Sequence, residues 1–185
     1  MPRATTLNRE FAREIRQLEK IDDHGRTWST THYIGGYSSY SSLTNLHQTS
    51  PNFAELERLL RPHVRRFARR AAWDLMGKEI RMTTCWVNRM GQGTYHGLHL
   101  HPLSVLSGVY YVDAPKGSSP FKIEDPLMGQ LMAAPPRPNY LLIPPRAGGF
   151  LLFESWLRHE VPPHRIAKPR LSISFNYEWT VPGSL

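Results

Sequence analysis

The sequence of 185 residues has a single cysteine, Cys85, and no long apolar run. One cysteine excludes an intrachain disulfide and a zinc site built from cysteine pairs, and it is typical of a reducing compartment. No segment approaches the roughly 20 apolar residues that a membrane-spanning helix needs. The N-terminal segment also lacks the apolar centre of a secretory signal, so we expect a cytoplasmic protein.

Several catalytic signatures are missing as well. The sequence contains no Gly-x-Ser-x-Gly nucleophile motif, no Walker-type phosphate loop and no dinucleotide-binding glycine fingerprint. Cys85 has no obvious base to activate it, and we expect it in a core strand. None of these enzyme classes is therefore indicated.

Acidic side chains are fewer than basic ones. The 15 Asp and Glu residues against 23 Lys and Arg residues give a formal net charge of +8. Such an excess can attract nucleic acid or another anion, or it can simply keep the surface soluble. Much of it lies in one predicted helix, at Arg58, Arg61, Arg65, Arg66, Arg69 and Arg70. Aromatic residues do not interleave with these arginines as they do on single-strand-binding surfaces, so a solvated helix face is favoured.

The pattern of apolar residues predicts one domain, residues 1–185, with helices before strands. Helical spacing runs over 6–20 and again from Pro51 to a predicted stop at Gly77, and Pro62 is expected to kink or interrupt the second helix. Residues 22–50 are polar and rich in Gly and Ser, which predicts a long irregular segment. We divide the domain into a helical and irregular part, 1–78, and a jelly-roll core, 79–180.

The β-rich part predicts a mainly β fold. Its strand candidates are 80–88, 97–103, 107–113, 120–124, 140–143, 149–154 and 170–179. Two short helices followed by seven or eight antiparallel strands predict a cupin-like jelly-roll barrel with the N-terminal helices packed on one sheet. In the last strand, polar residues at 170, 172, 174 and 176 alternate with apolar ones. We expect the polar face to line the barrel cavity and the apolar face to lie under the long helix.

His99 and His101 form the most informative motif. Two residues that are two positions apart on a strand project to the same face. His159 can complete a set of three metal ligands, and neutral imidazole suits Fe, Zn, Cu and Ni. Arg170, eleven residues later, offers a planar fork for a carboxylate. Because such an arginine can anchor the far end of a chelating 2-oxo acid, the set favours iron, and it predicts an enzyme.

Four segments resemble one enzyme family. HLHP at 99–102, SGVYYV at 107–112, GFLLFESWLRH at 149–159 and RLSISFN at 170–176 are similar to the blocks of 2-oxoglutarate- and Fe(II)-dependent oxygenases. The resemblance covers roughly residues 80–180. It implies the double-stranded β-helix (jelly-roll) fold, with iron bound by His99, His101 and His159. It also implies that Arg170 binds the C5 carboxylate of 2-oxoglutarate and that Ser172 helps to hold it.

Asn88 is a further candidate for cosubstrate binding. It precedes His99 by eleven residues, which is similar to the spacing of an Asn that contacts 2-oxoglutarate in the nucleic-acid demethylase branch. That branch has Tyr where this chain has Met90. The alternative is an ordinary turn residue.

The chain departs from most of the wider superfamily at His101, where a carboxylate is usual. We favour His101 as a ligand because it lies on the same face of the predicted strand as His99 and because Pro102 restricts the backbone that follows it. The alternative is that Asp113, Glu124 or Glu154 supplies the third ligand.

Other residues near these motifs carry weaker expectations. His96 lies three residues before His99, so on a regular strand it faces away from it. His164 follows two prolines and is expected on a surface loop. Tyr110 and Tyr111 have opposite orientations, so one of them faces the cavity.

The leading hypothesis is a dioxygenase that uses Fe(II), 2-oxoglutarate and O2 to hydroxylate a polar small-molecule or peptidyl substrate, releasing succinate and CO2. One alternative is a three-histidine, cupin-like dioxygenase that does not use 2-oxoglutarate and has no clear need for Arg170. The other is a non-catalytic, basic nucleic-acid-binding protein. Nucleic acid is not favoured, no membrane partner is expected, and the oligomeric state is left open. Segments 22–50 and 125–148 are expected to rim the cavity.

Overall fold

A computed structural model of the chain describes residues 4–127, 132, 138–181 and 183. Among these residues, helices precede most of the strands, as the apolar pattern predicts. Within the same ranges, no helix combines the length and the apolar character needed to cross a bilayer.

The helices of the described chain are α1 (Ala4–Ile21), α2 (Asp23–His32), α3 (Leu46–Thr49) and α4 (Pro51–Arg70). The helices predicted over 6–20 and from Pro51 are confirmed as α1 and α4. Each is amphipathic, and the residues buried at helical spacing on α4 are Phe53, Leu56, Leu60, Val64 and Ala68.

The strands are β1 (Tyr37–Ser38), β2 (Glu79–Met90), β3 (His96–His99), β4 (Leu106–Asp113), β5 (Phe121–Glu124), β6 (Tyr140–Ile143), β7 (Phe150–Glu154), β8 (His159–Val161) and β9 (Arg170–Thr180). In the described residues they form a five-stranded sheet, β1-β2-β9-β4-β7, and a four-stranded sheet, β3-β8-β5-β6. All paired strands run antiparallel. The predicted mainly β, antiparallel class is confirmed.

The two faces of β9 have the separate roles that their composition predicts. Leu171, Ile173, Phe175 and Tyr177 join one buried cluster with Phe11 of α1 and Phe53, Leu56 and Leu60 of α4. Full burial of a large apolar side chain contributes about 1.5–3 kcal/mol. This cluster therefore holds the helices against one face of the five-stranded sheet and leaves the polar face of β9 free for the cavity.

A second apolar cluster lies between the two sheets. Its buried members are Tyr33, Met90, Val109, Tyr111, Phe121, Phe153 and Val161. Val109 and Phe153 belong to the five-stranded sheet, whereas Phe121 and Val161 belong to the four-stranded one. The cluster therefore packs the two sheets face to face, and most of its side chains also line the cavity.

Residues 22–50 contain more structure than their composition predicts, because α2 and α3 fall within them. The carboxylate of Asp22 is buried at the start of α2. It accepts hydrogen bonds from the Gly25 amide at 2.9 Å, the Tyr37 hydroxyl at 2.8 Å and the Ser42 hydroxyl at 2.6 Å. This network caps α2 and ties it to β1.

The second long helix differs from its prediction at two points. The helix α4 runs through Pro62 and ends at Arg70. Of the two outcomes predicted for Pro62, a kink or an interruption, the interruption does not occur, and the predicted stop at Gly77 is wrong. Pro62 is exposed, and the buried stripe on the opposite side of the helix continues past it. Packing of that stripe therefore outweighs the hydrogen bond that proline removes.

Candidate active site

Three histidines meet where β3 and β8 pair. His99 ends β3 and lies opposite His159, the first residue of β8. The backbone N–H of His101 donates to the carbonyl of Ser155 at 3.0 Å, which brings the third ring beside the other two. One ring nitrogen from each histidine lies within 4.8 Å of the others. Such a group can hold one metal ion.

Hydrogen bonds set the tautomer of all three rings. Each Nδ1 atom lies close to an oxygen atom: Gly97 O at 2.6 Å for His99, Asn176 Oδ1 at 2.6 Å for His101, and Leu157 O at 2.8 Å for His159. Because an oxygen acceptor requires a donor, the proton of each neutral ring sits on Nδ1. The Nε2 lone pairs are therefore free to bind a metal.

Burial keeps two of these rings neutral. It lowers the pKa of His101 to about 4 and that of His159 to about 3. The neighbouring imidazole of His99 lowers both pKa values further. Neutral imidazole is the form that binds metal, so these two rings need no deprotonation near neutral pH.

A buried polar network holds the ring of His101. Asn176 Oδ1 also accepts a hydrogen bond from the Ser107 hydroxyl at 2.8 Å, and the hydroxyls of Ser107 and Ser155 lie 2.8 Å apart. Metal-bound histidines in proteins are commonly oriented by such a second hydrogen bond. Sequence reasoning placed Asn176 on the cavity face but did not connect it with His101.

Arg170 lies in the same cavity, which has a volume of about 510 Å³. The side chain is 2% exposed, Nη1 donates to the carbonyl of Ser119 at 3.0 Å, and Cζ lies 5.6 Å from the ring centre of Tyr111. Its Nε is buried without a hydrogen-bond partner, and no carboxylate of the described residues pairs with it. A buried unpaired charge is costly, so this arginine is placed to bind an anion.

The other predicted cosubstrate residues lie beside Arg170. Ser172 and Ser174 line the cavity on β9. Asn88 is opposite Ser172 on β2 and is 1% exposed. Its amide accepts from the Ser38 hydroxyl at 2.8 Å and donates to Ser174 at 3.0 Å, and Asn88 itself is not among the lining residues.

The three alternative carboxylates point elsewhere. Asp113 lies 3.6 Å from Lys168, Glu124 lies 3.0 Å from Arg158, and Glu154 accepts from the Trp156 indole at 2.6 Å. None of the three lines the cavity. The geometry therefore favours His101 over a carboxylate as the third ligand.

Two histidines lie where sequence reasoning did not place them. His96 lines the cavity 4.5 Å from the ring of Tyr33, because the pairing of β3 with β8 is irregular between His96 and His99. Gly97, between them, was the available signal, since glycine often marks a bulge. His164 is fully buried rather than on a surface loop, and its Nε2 lies 2.9 Å from the carbonyl of Lys168.

The two tyrosines of β4 separate as expected. Tyr111 faces the cavity, and burial raises its pKa to about 12. Tyr110 faces the helices and donates to Asn8 Oδ1 at 2.6 Å. Tyr111 is therefore the tyrosine placed beside Arg170.

Segment 22–50 rims the cavity as predicted, and its lining residues are Trp28, His32, Tyr33, Ser38 and Tyr40. The prediction for 125–148 falls partly on 128–131 and 133–137, outside the described ranges. No described residue of that segment lines the cavity.

Several solved structures share the fold of this chain. A 2OG-Fe(II) oxygenase family protein from Burkholderia pseudomallei is 22% identical, with a TM-score of 0.53 over 69% of this chain. This chain spans only 56% of that protein. A prolyl-4-hydroxylase from Pseudomonas putida is 17% identical, with a TM-score of 0.63 over 94% of this chain and 86% of its own.

HygX from Streptomyces hygroscopicus, crystallised with nickel and 2-oxoglutarate, is 16% identical, with a TM-score of 0.63 over 94% of this chain and 78% of its own. No curated protein sequence matches the chain. Residues 84–176, half of the chain, match the family described as "Putative 2OG-Fe(II) oxygenase". The chain therefore belongs to this family of 2-oxoglutarate-dependent oxygenases, oxidoreductases that use Fe(II), 2-oxoglutarate and O2.

Proposed function

We propose that this double-stranded β-helix protein is a dioxygenase whose iron is bound by His99, His101 and His159 and whose 2-oxoglutarate is held by Arg170 and Ser172. The observation that carries the proposal is that a buried, unpaired arginine shares one cavity with three histidines whose Nε2 atoms are free. A site for a metal alone has no need of that arginine.

The three histidines supply neutral ligands. They leave the metal its full +2 charge, whereas one carboxylate ligand would reduce it to +1. The stronger positive charge favours binding of the carboxylate of 2-oxoglutarate that chelates the metal. Asn176 keeps the Nε2 of His101 turned toward the metal position through its hydrogen bond to Nδ1.

Arg170 binds the far carboxylate through a charge-assisted hydrogen bond. The Ser172 hydroxyl is the neighbouring donor on the same strand face. Asn88 is a third candidate contact. Its Nδ2 donates to the Ser174 hydroxyl and would donate to the cosubstrate instead when the cosubstrate binds. Together these residues would set the orientation of the bound cosubstrate.

Apolar rings cover the His159 side of the site. Phe121 stacks on His159 with 5.0 Å between ring centres, and Phe153 meets the same ring edge-on at 4.6 Å. Bound Fe(II) and 2-oxoglutarate supply the activation of O2, in which 2-oxoglutarate becomes succinate and CO2 and the substrate is hydroxylated. The surrounding rings lower the local dielectric on the His159 side of the site.

We propose a small-molecule or peptidyl substrate with polar groups. Two proteins with the same fold support this class, since one is a prolyl-4-hydroxylase and HygX has been crystallised with hygromycin B.

The two alternative functions lack support in the geometry. A three-histidine dioxygenase without 2-oxoglutarate leaves Arg170 unexplained. A nucleic-acid-binding role would use the arginines of α4, which lies on the helix-bearing face of the five-stranded sheet, away from the cavity. Two of those arginines, Arg58 and Arg61, form ion pairs along the helix with Glu55 and Glu57.

Anaerobic reconstitution with Fe(II) tests the proposal. We expect calorimetry to detect 2-oxoglutarate binding only after metal is added, and succinate to form when O2 is admitted. Arg170→Leu should retain metal binding and lose 2-oxoglutarate consumption. Arg58→Leu, at an exposed helix position, is the matched control and should behave like the wild type. Unchanged 2-oxoglutarate consumption in Arg170→Leu would overturn the assignment.

A further inference from the structure

One side of the cavity is a row of aromatic rings that leads from the metal ligands to the surface. The ring centre of Trp86 lies 6.1 Å from that of His101, and Tyr40 lies 5.2 Å from Trp86. Trp28 follows at 6.1 Å from Tyr40, and His32 stacks on Trp28 at 4.6 Å with an interplanar angle of 5°. All five rings line the cavity.

The row reaches the protein surface at Tyr40 and His32. Trp86 is 6% exposed, whereas Tyr40 is 53% exposed. Leu98 and Leu100 also line the cavity while remaining 42% and 41% exposed. Exposed apolar side chains grouped around a cavity mark a place where a ligand or partner covers them. The row therefore continues the site outward as a surface for the substrate.

The described lining residues include no Asp, Glu or Lys. Arg170 is the one non-histidine side chain among them that carries a charge near neutral pH, and the cosubstrate occupies it in the proposed function. A charged substrate group that entered here would lose its hydration without gaining a partner, which is costly. The cavity therefore selects an uncharged group.

The shape of the row favours a ring over a flexible chain. Rings pack against other rings with their centres 4.5–7 Å apart, in offset or edge-to-face arrangements. A flat, rigid group covers such a surface without losing rotamer freedom, whereas an acyclic chain must give up that freedom to make the same contact. The cavity volume of about 510 Å³ lies within the usual range of pockets that hold drug-sized ligands.

We infer that the group presented to the iron is an uncharged ring, lying against Trp86, Tyr40 and Trp28. This inference rests on the proposed function and names the substrate class of that site. The shared chemistry is a flat apolar face, which can be the π face of an aromatic ring or the C–H face of a saturated one. The ring belongs to a small molecule or to a residue of a peptide.

Calorimetric titration of the anaerobic protein, loaded with Fe(II) and 2-oxoglutarate, tests the inference. The probes are N-acetyl methylamides of phenylalanine, cyclohexylalanine, proline, leucine, lysine and glutamate. We expect at least one ring probe to bind at least tenfold more tightly than the leucine, lysine and glutamate probes. Preference for phenylalanine over cyclohexylalanine identifies an aromatic ring, and the reverse identifies a saturated one. Equal binding of an acyclic or charged probe overturns the inference, as does the failure of every ring probe to bind.

Variants locate the binding surface. Tyr40→Leu and Trp28→Leu should each weaken the ring probe at least tenfold and leave 2-oxoglutarate affinity unchanged. Tyr40→Phe keeps the ring and should bind like the wild type. Trp156→Leu is the matched control, because Trp156 is 55% exposed and does not line the cavity. Wild-type affinity for the ring probe in folded Tyr40→Leu and Trp28→Leu would refute the location.

The same titrations separate the two claims. If 2-oxoglutarate does not bind the metal-loaded wild type, the proposed function fails. If 2-oxoglutarate binds and the ring probes do not, only the substrate class is wrong.

Discussion

Asn176 Oδ1 lies 2.6 Å from Nδ1 of His101 and joins β9, the central strand of the five-stranded sheet, to the proposed metal site. The same oxygen accepts a hydrogen bond from Ser107 on β4. The strand that carries Arg170 therefore also sets the orientation of one proposed metal ligand.

Removing this hydrogen bond should weaken metal binding. Asn176→Ala leaves the Nδ1 proton of His101 without its acceptor, and loss of such a partner typically lowers metal affinity about 10- to 100-fold. Competition with a chelator measures the change. Asn176→Asp retains an oxygen acceptor and should keep most of the affinity. Equal metal affinity in wild type and Asn176→Ala would contradict the orienting role.

Arg170 should cost stability in the ligand-free protein. Arg170→Met removes a buried charge that has no ionic partner and keeps much of the side-chain length, so the free energy of unfolding should stay the same or rise. The wild type should gain about 2.7 kcal/mol from 2-oxoglutarate at a hundred times its Kd, and the variant should gain nothing. Urea unfolding of the metal-loaded proteins, with and without 2-oxoglutarate, measures both effects. A ligand-free variant that unfolds far more easily than the wild type would assign Arg170 a structural role.

Gly25 should tolerate no larger residue. A Cβ atom at this position would lie 2.1 Å from Asp22 Oδ2, which is held by Tyr37 and Ser42. Gly25→Ala should therefore lower the free energy of unfolding by about 1–3 kcal/mol through overpacking. Gly97→Ala, where the nearest neighbouring atom is 4.0 Å away, is the control and should change the stability by less than about 0.5 kcal/mol. Equal stability of the two variants would show that the hydrogen bonds around Asp22 can rearrange to make room for the methyl group.

Cys85 should react only when the protein unfolds. The residue is fully buried, and burial raises the pKa of its thiol, so little thiolate exists in the folded protein. Iodoacetamide at pH 8 should label the native protein very slowly and the urea-unfolded protein fully, as measured by mass spectrometry. Cys85→Ala should take up no label in either state. Rapid labelling of the native protein would mean that β2 opens readily.

The confirmed sequence predictions rest on the alternation of polar and apolar residues and on the spacing of the histidines. The polar and apolar residues of β9 lie on the faces that their order predicts, because a buried face tolerates only one register. The pair His99 and His101, together with His159, meets as expected. These features depend on local periodicity, which a sequence displays directly.

The features that sequence reasoning missed depend on distant partners. The helix α2 is polar, and Tyr37 and Ser42 help to hold its capping carboxylate from outside the helix. His96 faces the cavity because the pairing of β3 with β8 is irregular. His164 is fully buried, and its backbone N–H donates to the carbonyl of Thr94, far away in the sequence. No local pattern reports such long-range contacts.

The proposed ligand sets lie on different sheets, with His99 and His159 on the four-stranded sheet and Arg170 on the five-stranded one. A cosubstrate held at both ends would act as a strut between them. The flexibility of the two sheets should then depend on whether metal and 2-oxoglutarate are bound. Metal alone should slow amide hydrogen exchange around His159, whereas metal with 2-oxoglutarate should slow it in β8 and β9 together. Without the cosubstrate, the distance between the two sheets would fluctuate more, and this motion would give a substrate room to enter.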